Sequence, residues 1–121
     1  MVALSCIIPA YNEAERIGAV LEVVTKHPLI DEIIVVDDGS VDSTARAAMV
    51  FNSVQVIIKP VNQGKSCAVC DGIRASHGSI LLLLDADLVG ISSDQLTNLI
   101  APVMEGKADF STSLRGNALP P

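Results

Sequence analysis

Aromatic side chains are almost missing from this chain. It has no tryptophan, one tyrosine and two phenylalanines, although half of its 121 residues are hydrophobic. The core must therefore be built from aliphatic side chains. A chain of this length buries roughly two-thirds of the surface that it exposes when unfolded, which is enough for one domain with its own core.

Positive charge and long apolar runs are scarce as well. Eight Lys and Arg stand against fourteen Asp and Glu, which gives a formal net charge of −6. Proteins that bind the phosphate backbone of DNA or RNA carry clustered Lys and Arg, so a nucleic-acid partner is not expected. No apolar stretch reaches the roughly 18 residues of a membrane-spanning helix, and the N-terminus enters a predicted strand instead of a signal peptide. We expect a soluble, cytoplasmic chain, held at the cytoplasmic membrane face if the full-length protein has an anchor.

Residues that bind soft metals are few. Cys6, Cys67 and Cys70 are an odd number of thiols, which fits a reducing compartment better than a disulfide framework. Cys67 and Cys70 have the spacing of a redox motif or half a zinc site, but no second Cys or His pair completes such a site. Since both lie in an apolar helical stretch, we expect small core residues. His27 and His77 each end a predicted helix, where an imidazolium suits the helix dipole, so structural roles are expected.

Two glycine-rich phosphate motifs are absent. The fingerprint Gly-x-Gly-x-x-Gly follows none of the predicted strands, which argues against a nicotinamide or flavin cofactor. The segment Gly64, Lys65 and Ser66 ends like the phosphate loop of NTPases. That loop requires another glycine five positions before Gly64, where Lys59 stands.

Strand and helix patterns alternate along the sequence. Predicted strands cover residues 4–9, 32–37, 54–59, 79–84 and 109–114. The second and fourth contain uninterrupted apolar runs, which are typical of strands buried on both faces of a parallel sheet. The predicted fold class is α/β, a mostly parallel sheet flanked by helices with right-handed crossovers.

Capping residues mark the starts of three predicted helices. Asn12 followed by Glu15 resembles a capping box before the first helix, and Ser92 followed by Gln95 resembles one before the last. Asp42 is expected to cap the second helix.

Clusters of polar and acidic residues follow each of the first four predicted strands. Tyr-Asn-Glu at 11–13 follows the first strand, Asp-Asp-Gly-Ser at 37–40 the second, Asn-Gln-Gly-Lys at 62–65 the third and Asp-Ala-Asp at 85–87 the fourth. In open parallel sheets, ligands bind in the crevice beyond the carboxyl ends of the strands. A single polar loop has an ordinary explanation in solvation, but four on one rim predict a functional site.

Asp85 and Asp87 are the candidate metal ligands. While the backbone stays extended, residues two apart point to the same side, so both carboxylates would face one site. Beside a nucleotide diphosphate they would repel it by about 4 kcal/mol for each pair of unit charges at about 4 Å and an effective dielectric near 20. A Mg²⁺ or Mn²⁺ ion reverses that repulsion and polarises the phosphate leaving group.

Five further residues at this rim have candidate roles with open alternatives. Asp38 could accept a hydrogen bond from a base N–H or a ribose hydroxyl, and Asp37 could equally be an acceptor for loop amides. Asp42 suits a helix cap better than a ligand. Tyr11 can pack against a nucleobase or be buried as a structural residue. Lys65 suits a diphosphate by its charge, although a solvated lysine at a helix start is common.

These clusters resemble the motifs of a known family. Ile-Pro-Ala-Tyr-Asn-Glu at 8–13, Val-Val-Asp-Asp-Gly-Ser at 35–40, Asn-Gln-Gly-Lys at 62–65 and Asp-Ala-Asp at 85–87 are similar to the N-terminal half of family 2 glycosyltransferases, especially the dolichol-phosphate mannosyltransferase subgroup. The resemblance implies a Rossmann-like GT-A half-domain, a UDP- or GDP-sugar donor and a Mg²⁺ or Mn²⁺ ion. It spans nearly the whole chain, with residues 1–114 as the donor-binding domain and 115–121 as a tail at a truncation point.

The resemblance also implies which residues contact the donor. Those around the nucleoside would be Pro9, Tyr11, Glu13, Val36 and Asp38, and those at the ribose, diphosphate and metal would be Asp85, Ala86 and Asp87, with Asp87 the direct metal ligand. The family's catalytic domain is longer than this chain, and its second half supplies the acceptor surface and, in inverting members, an acidic general base. The base is therefore expected beyond Pro121. The missing sheet edge and the aliphatic core predict exposed apolar surface, and hence either self-association, with a possible homo-oligomer, or dependence on an absent segment.

Two other functions fit parts of the pattern. A phosphoacceptor signalling domain would hold Mg²⁺ with Asp37 and Asp38 and be phosphorylated on Asp85. Such a domain needs a lysine after its last strand, whereas Lys107 precedes the last predicted strand of this chain, at 109–114. An inert nucleotide-binding module that regulates a partner chain would bind the same ligand as the transferase but would lack turnover.

Overall fold

The structure, a computed structural model, describes residues 2–88 and 90–106. Strands and helices alternate along this part of the chain: β1 (Leu4–Ala10), α1 (Ile17–Val24), β2 (Glu32–Asp37), α2 (Thr44–Met49), β3 (Val54–Ile58), α3 (Lys65–Ala75), β4 (Ile80–Leu83) and α4 (Ser93–Met104). The first four predicted strands are therefore confirmed. The predicted fifth strand at 109–114 and the tail at 115–121 lie outside the described residues. No described helix is both long enough and apolar enough to cross a membrane.

The four strands form one parallel sheet in the order β3-β2-β1-β4. Ala10 lies opposite Asp37, and Asp37 lies opposite Ile58, so β1, β2 and β3 end at the same level. The loops that follow the strands consequently meet along one edge of the sheet, where open α/β folds bind their ligands. The predicted α/β fold with a parallel sheet is confirmed.

Side-chain alternation gives the sheet two apolar faces. One face packs against side chains from α1, α2 and α4, in a cluster that includes Leu4, Ile8 and Val35. The other face, with Ile7 and Ile34, packs against α3. Aliphatic side chains fill both layers, as the low aromatic content predicts.

Gly72 allows α3 to lie close to the second face. A Cβ atom at Gly72 would be 2.5 Å from Cγ2 of Ile7, so any side chain there would push the helix away. Among the described strands β4 lies at one end of the sheet, and its Leu83 is paired with Ile7 and so shares this face. Leu81 and Leu83 are 40% and 45% exposed. The expected apolar surface at the sheet edge is present, and self-association stays a prediction.

The two predicted capping boxes have different outcomes. α1 has Arg16 as its N-cap residue. Asn12 instead adopts a left-handed conformation (φ +53°), and its Oδ1 accepts a hydrogen bond from the Val41 backbone N–H at 3.0 Å. The box predicted at Asn12 is wrong because this side chain binds the neighbouring loop. The box of Ser92 and Gln95 before α4 is confirmed, with both of its hydrogen bonds formed.

The prediction that Cys67 and Cys70 are core residues is wrong for both. Cys67 and Cys70 are exposed, because α3 turns Ala68 and Gly72 toward the sheet. Cys6 is fully buried in β1. Burial raises the pKa of the Cys6 thiol, which therefore remains a protonated, apolar side chain.

The two histidines have structural contacts, as expected. His27 is buried, and its Nδ1 accepts a hydrogen bond from the Leu29 N–H at 3.1 Å. Its Nε2 lies 2.8 Å from Oγ1 of Thr97, so the ring ties the end of α1 to α4. His77 is exposed and pairs with Glu32 at 2.7 Å.

Candidate functional site

A cavity of about 330 Å³ opens where the loops after the four strands meet. Eight of the nine residues predicted to contact the donor line it: Pro9, Tyr11, Glu13, Asp38, Lys65, Asp85, Ala86 and Asp87. Asp38 and Asp87, which follow different strands, therefore border one common space. The geometry therefore permits a donor to bind in this space.

Val36 is the exception among the nine. Its side chain is fully buried in β2 and packs with Ile7 and Ile34 in the cluster beneath α3. Successive side chains of a strand point to opposite faces, so Val36 faces the helix layer and not the crevice. In the described structure it is not part of the cavity lining, and its contact with the donor stays a prediction that its buried side chain does not support.

Three lining residues are not among the predicted contacts: Ala10, Asn62 and Gly64. Asn62 and Gly64 belong to the rim segment 62–65, so the sequence locates their loop without showing which side of it reaches the cavity. Gly64 has a backbone φ of +100°, a conformation that favours glycine, and it directly precedes α3.

Asp38 fastens the β3–α3 loop to the end of β2. Its side chain is almost fully buried. Oδ1 accepts a hydrogen bond from the Gln63 N–H at 3.0 Å, and Oδ2 accepts one from the Gly64 N–H at 2.9 Å. Asp37 has a similar local role, since its Oδ1 accepts from the Ser40 N–H at 3.0 Å. The role of binding loop amides, predicted for Asp37, thus belongs to both acids.

Gly39 brings the β2–α2 loop against the same β3–α3 loop. Its backbone has a φ of +72°, and a Cβ atom at this position would lie 2.4 Å from the backbone nitrogen of Asn62. Glycine is therefore required here both for its conformation and for the close approach of two backbones. This close contact between the two loops helps to fix the position of Asn62, which lines the cavity.

Asp42 joins the start of α2 to the β1–α1 loop. It accepts hydrogen bonds from the Thr44 N–H at 3.0 Å, from the Thr44 hydroxyl and from the Ala14 N–H at 3.3 Å. The hydrogen bond from the Thr44 hydroxyl, helped by those from the backbone, lowers the pKa of Asp42 against the opposing effect of desolvation. Asp42 thus binds the first N–H of α2, but the N-cap residue is Ser43, so the cap predicted at Asp42 is one residue too early.

Tyr11 and Glu13 reach the cavity from the β1–α1 loop. Tyr11 is 47% exposed, so the alternative of a buried structural tyrosine is wrong and its ring can contact a ligand. The Glu13 backbone N–H donates to Oγ1 of Thr44 at 2.9 Å, which anchors the loop. The Glu13 carboxylate pairs with Arg16 at 2.6 Å.

Asp85, Ala86 and Asp87 form a turn at the end of β4. The expected extended backbone is wrong here, because the strand ends at Leu83 and the chain turns at Ala86 and Asp87. Both carboxylates nevertheless border the cavity, Asp87 from a more exposed position than Asp85. Lys65, the first residue of α3, reaches across and forms an ion pair with Asp85.

The carboxylates fit a divalent metal that is shared with a ligand. Within residues 2–88 and 90–106, no group of three or more His, Cys, Asp and Glu side chains is arranged to hold a metal ion. Asp85 and Asp87 therefore offer at most two protein ligands. Mg²⁺ and similar hard ions are commonly bound through one or two carboxylates, with phosphate oxygens and water completing the coordination.

The strand order contradicts the phosphoacceptor signalling domain. Such domains have the order 2-1-3-4-5, whereas this sheet has the order β3-β2-β1-β4, which is that of the dinucleotide-binding type. In addition, Asp37 and Asp38, which would have to hold Mg²⁺ in a signalling domain, already accept hydrogen bonds from backbone amides.

The sequence matches a characterised protein family over nearly its whole length. Residues 5–117 match the profile of Glycosyl transferase family 2. Glucosyl-3-phosphoglycerate synthase of Mycolicibacterium paratuberculosis is 32% identical over 111 residues, covering 85% of this chain and 34% of that protein. Dolichyl-phosphate beta-glucosyltransferase of Mus musculus is 37% identical over 99 residues, covering 69% of this chain and 31% of that protein. The chain thus spans about a third of the length of these curated relatives.

The fold is similar to that of a solved relative with bound ligands. The crystal structure of glucosyl-3-phosphoglycerate synthase from Mycobacterium tuberculosis, in complex with Mn²⁺ and UDP-glucose, superposes with a TM-score of 0.77 at 29% sequence identity. The match covers 88% of this chain and 40% of that chain.

Proposed function

The chain belongs to glycosyl transferase family 2 and has its Rossmann-like GT-A fold, and we propose that its cavity binds the nucleotide-diphospho-sugar donor of a glycosyltransferase. The observation that carries this proposal is the convergence of Tyr11, Asp38, Lys65, Asp85 and Asp87 on one cavity. The set combines an aromatic face, a hydrogen-bond acceptor, a cation and two carboxylates, which are the groups that a nucleoside, a diphosphate and a metal ion require.

The nucleoside end of the donor lies, in this proposal, between Pro9, Tyr11, Glu13 and Asp38. The exposed ring of Tyr11 offers an apolar face to the base. Each oxygen of Asp38 accepts one amide hydrogen bond and keeps a lone pair, so this carboxylate can still accept from a base N–H or a ribose hydroxyl. The tether to the β3–α3 loop orients it for that contact.

The diphosphate lies at the other end, beside Lys65 and the turn at Asp85 and Asp87. Lys65 begins α3, where the helix dipole adds to the attraction of the ammonium for an anion. In the structure Lys65 pairs with Asp85. A diphosphate would compete with Asp85 for this ammonium.

Asp87, together with Asp85, would hold the divalent metal. A bound Mn²⁺ or Mg²⁺ supplies positive charge that stabilises the departing diphosphate. The similar crystal structure from M. tuberculosis contains Mn²⁺ and UDP-glucose, so we propose a UDP-sugar and Mn²⁺ as the first pair to test here.

For the whole protein we propose sugar transfer to an acceptor hydroxyl. Because this chain covers only about a third of its relatives, we place the acceptor site and the acidic general base beyond Pro121. Residues 1–114 are then the donor-binding domain. A cytoplasmic location stays part of this proposal.

Calorimetry tests the donor site directly. UDP, GDP and their sugars are titrated with and without Mn²⁺ into the protein and into Asp87→Asn. We expect Mn²⁺-dependent binding of at least one nucleotide, and about tenfold or greater weakening in Asp87→Asn, since one of two protein ligands is lost. The proposal fails if no nucleotide binds at millimolar concentration and Asp87→Asn is indistinguishable from the wild type. If the nucleotide binds but the complete protein does not transfer the sugar, the alternative of an inert nucleotide-binding module is correct instead.

A further inference from the structure

Lys59 carries a buried charge beside the cavity. It stands between β3 and the loop to α3, and its side chain is only 7% exposed. Its Nζ lies 2.6 Å from Oδ2 of Asp71, in the second turn of α3. Lysine is almost never buried unless it is paired, and loss of one partner of a buried pair leaves an uncompensated charge. From the sequence alone, Lys59 is notable only because it stands where the phosphate loop of NTPases has a glycine.

The ammonium of Lys59 is held in its charged form. The hydrogen bond to Asp71 raises the pKa of Lys59 against the opposing effect of burial, and the negative charges of Asp71 and of nearby Asp38 raise it further. The same hydrogen bond lowers the pKa of Asp71. Lys59 therefore interacts with an acid on α3 and, at longer range, with the acid that fastens the loop.

The pair closes the base of the loop at residues 60–64. On one side, the Lys59 N–H donates to the Asp37 carbonyl at 2.9 Å, which continues the ladder between β2 and β3. On the other side, Asp71 belongs to α3. Between these ends, the Asp38 carboxylate binds two of the loop amides. The position of α3 relative to β3 therefore sets the path of the loop.

We propose that Lys59 is a positioning residue for the donor cavity. Its buried ion pair with Asp71 fixes the first turns of α3 against the sheet and so places Asn62, Gly64 and Lys65, which line the cavity. Lys59 itself is not in the lining among the described residues, and it acts through the loop. The inference rests on the proposed donor binding, and it is tested also by a measurement that needs no donor.

Arg74 provides a matched control. Its Nη1 lies 3.2 Å from Oδ1 of Asp71, on the same carboxylate, but its side chain is 78% exposed. Exposed pairs contribute little because water screens them and both side chains lose freedom. Lys59→Met and Arg74→Met therefore each remove one cation from Asp71, in one case from the buried side and in the other from the solvent side.

The first readout is nucleotide affinity, measured by calorimetry with UDP and Mn²⁺. We expect Lys59→Met to weaken binding by about 2- to 30-fold, the range of residues that couple to a site without touching it. Arg74→Met should change affinity by less than about twofold. Lys59→Arg keeps the charge and should restore most of the affinity.

The second readout is amide hydrogen exchange without nucleotide. The N–H groups of Gln63 and Gly64 are protected by Asp38, and we expect faster exchange of both in Lys59→Met but not in Arg74→Met. If Lys59→Met does not fold, Asp71→Asn removes the same pair from its partly exposed side and should give the same changes.

Three results would overturn the inference. The first is equal affinity and equal exchange in Lys59→Met and Arg74→Met. The second is a lower melting temperature in Lys59→Met with exchange at Gln63 and Gly64 unchanged, which means a role in stability alone. The third is unchanged exchange in Asp71→Asn when Lys59→Met cannot be studied. If the wild type binds no nucleotide, the proposed function fails, while the exchange of the two amides still decides the role of Lys59.

Discussion

The backbone N–H of Gly64 donates a 2.9 Å hydrogen bond to Oδ2 of Asp38, across a sequence separation of 26 residues. The same carboxylate borders the cavity. A single acid therefore holds a loop that lines the cavity and itself borders the ligand space. Donor binding and the stability of this loop are consequently coupled, and variants must be measured for both.

Asp38→Asn should weaken the fold as well as nucleotide binding. An amide accepts through one oxygen only, and its NH₂ group would face the N–H of Gln63 or Gly64. We expect the unfolding free energy to fall by about 1–3 kcal/mol, the cost of a buried hydrogen-bond partner left unsatisfied, as measured by urea denaturation. Glu15→Gln, an exposed change that lies outside the helices and strands, should stay within about 0.5 kcal/mol of the wild type. Equal stability of both variants would contradict the tether.

Gly39→Ala should be strongly destabilising, because it places a Cβ atom 2.4 Å from the Asn62 nitrogen at a φ of +72°. We expect a loss of more than about 1 kcal/mol from the backbone strain alone, together with weaker UDP binding as the loop moves. Gly18→Ala is the control, since nothing lies within 4 Å of a Cβ atom there and the residue is in α1. It should stabilise the protein by about 0.5–1 kcal/mol. In thermal denaturation, the melting temperature should fall in Gly39→Ala and rise in Gly18→Ala.

The order of strands and helices was predictable because apolar runs and turn residues are local signals. Asp85 and Asp87 were placed correctly at the cavity by the rule that ligands bind beyond strand ends, although the backbone there turns. The errors, and the unsupported contact of Val36, concern which way a side chain faces. Val36, Cys67 and Cys70 are apolar residues in the predicted elements, and only the packing of α3 through Gly72 decides which of them are covered.

Contacts between distant residues were the least predictable part. Asn12 looks like a helix cap, but it binds the N–H of Val41 in another loop. The pair of Lys59 and Asp71 likewise joins residues with no local pattern between them. Such contacts depend on the order of the strands in the sheet, because this order brings the loops together. The spacing of apolar residues along the chain does not determine that order.

Glu32 should make stability depend on acid pH. Burial raises the pKa of its carboxyl, but hydrogen bonds from the Ser5 hydroxyl and from His77 outweigh burial and lower it below the ordinary value. The ionised form is therefore favoured by folding. Its contribution is complete above the unfolded pKa of about 4.3 and is lost as the pH falls through the lower, folded value.

Glu32→Gln should accordingly flatten the fall in stability on the acid side. Urea denaturation of the wild type and of Glu32→Gln between neutral pH and pH about 3 measures this. The two proteins should differ most near neutral pH and converge in acid. A constant difference at every pH would contradict the assignment. Glu22→Gln, an exposed residue paired only with Lys26 at 3.1 Å in the described structure, should leave the pH dependence unchanged.

Lys65→Met should lower affinity for a diphosphate without lowering affinity for a nucleoside. The ammonium attracts the phosphate charges, whereas uridine carries none. We expect UDP binding to weaken about 3- to 10-fold, with a smaller salt dependence, and uridine binding to stay the same. Lys26→Met removes a cation that is 77% exposed, against 59% for Lys65, and that lies just after α1, so it should change neither affinity. An equal loss for UDP and uridine would mean that Lys65 shapes the cavity instead of attracting phosphate.

Leu81 and Leu83 should drive self-association of this chain. They lie on β4, which ends the sheet formed by the described residues, and are 40% and 45% exposed. An apolar strand at the end of a sheet offers both side chains and backbone groups to a second copy. We expect sedimentation velocity to show species that grow with protein concentration. The double change Leu81→Lys and Leu83→Lys should shift the protein to monomer, because charged side chains on an edge oppose pairing. Val41→Lys, at a residue that is 87% exposed in the β2–α2 loop, should leave the association unchanged. A monomeric wild type at all concentrations, or equal association of the double variant, would show that this edge does not join copies of the chain.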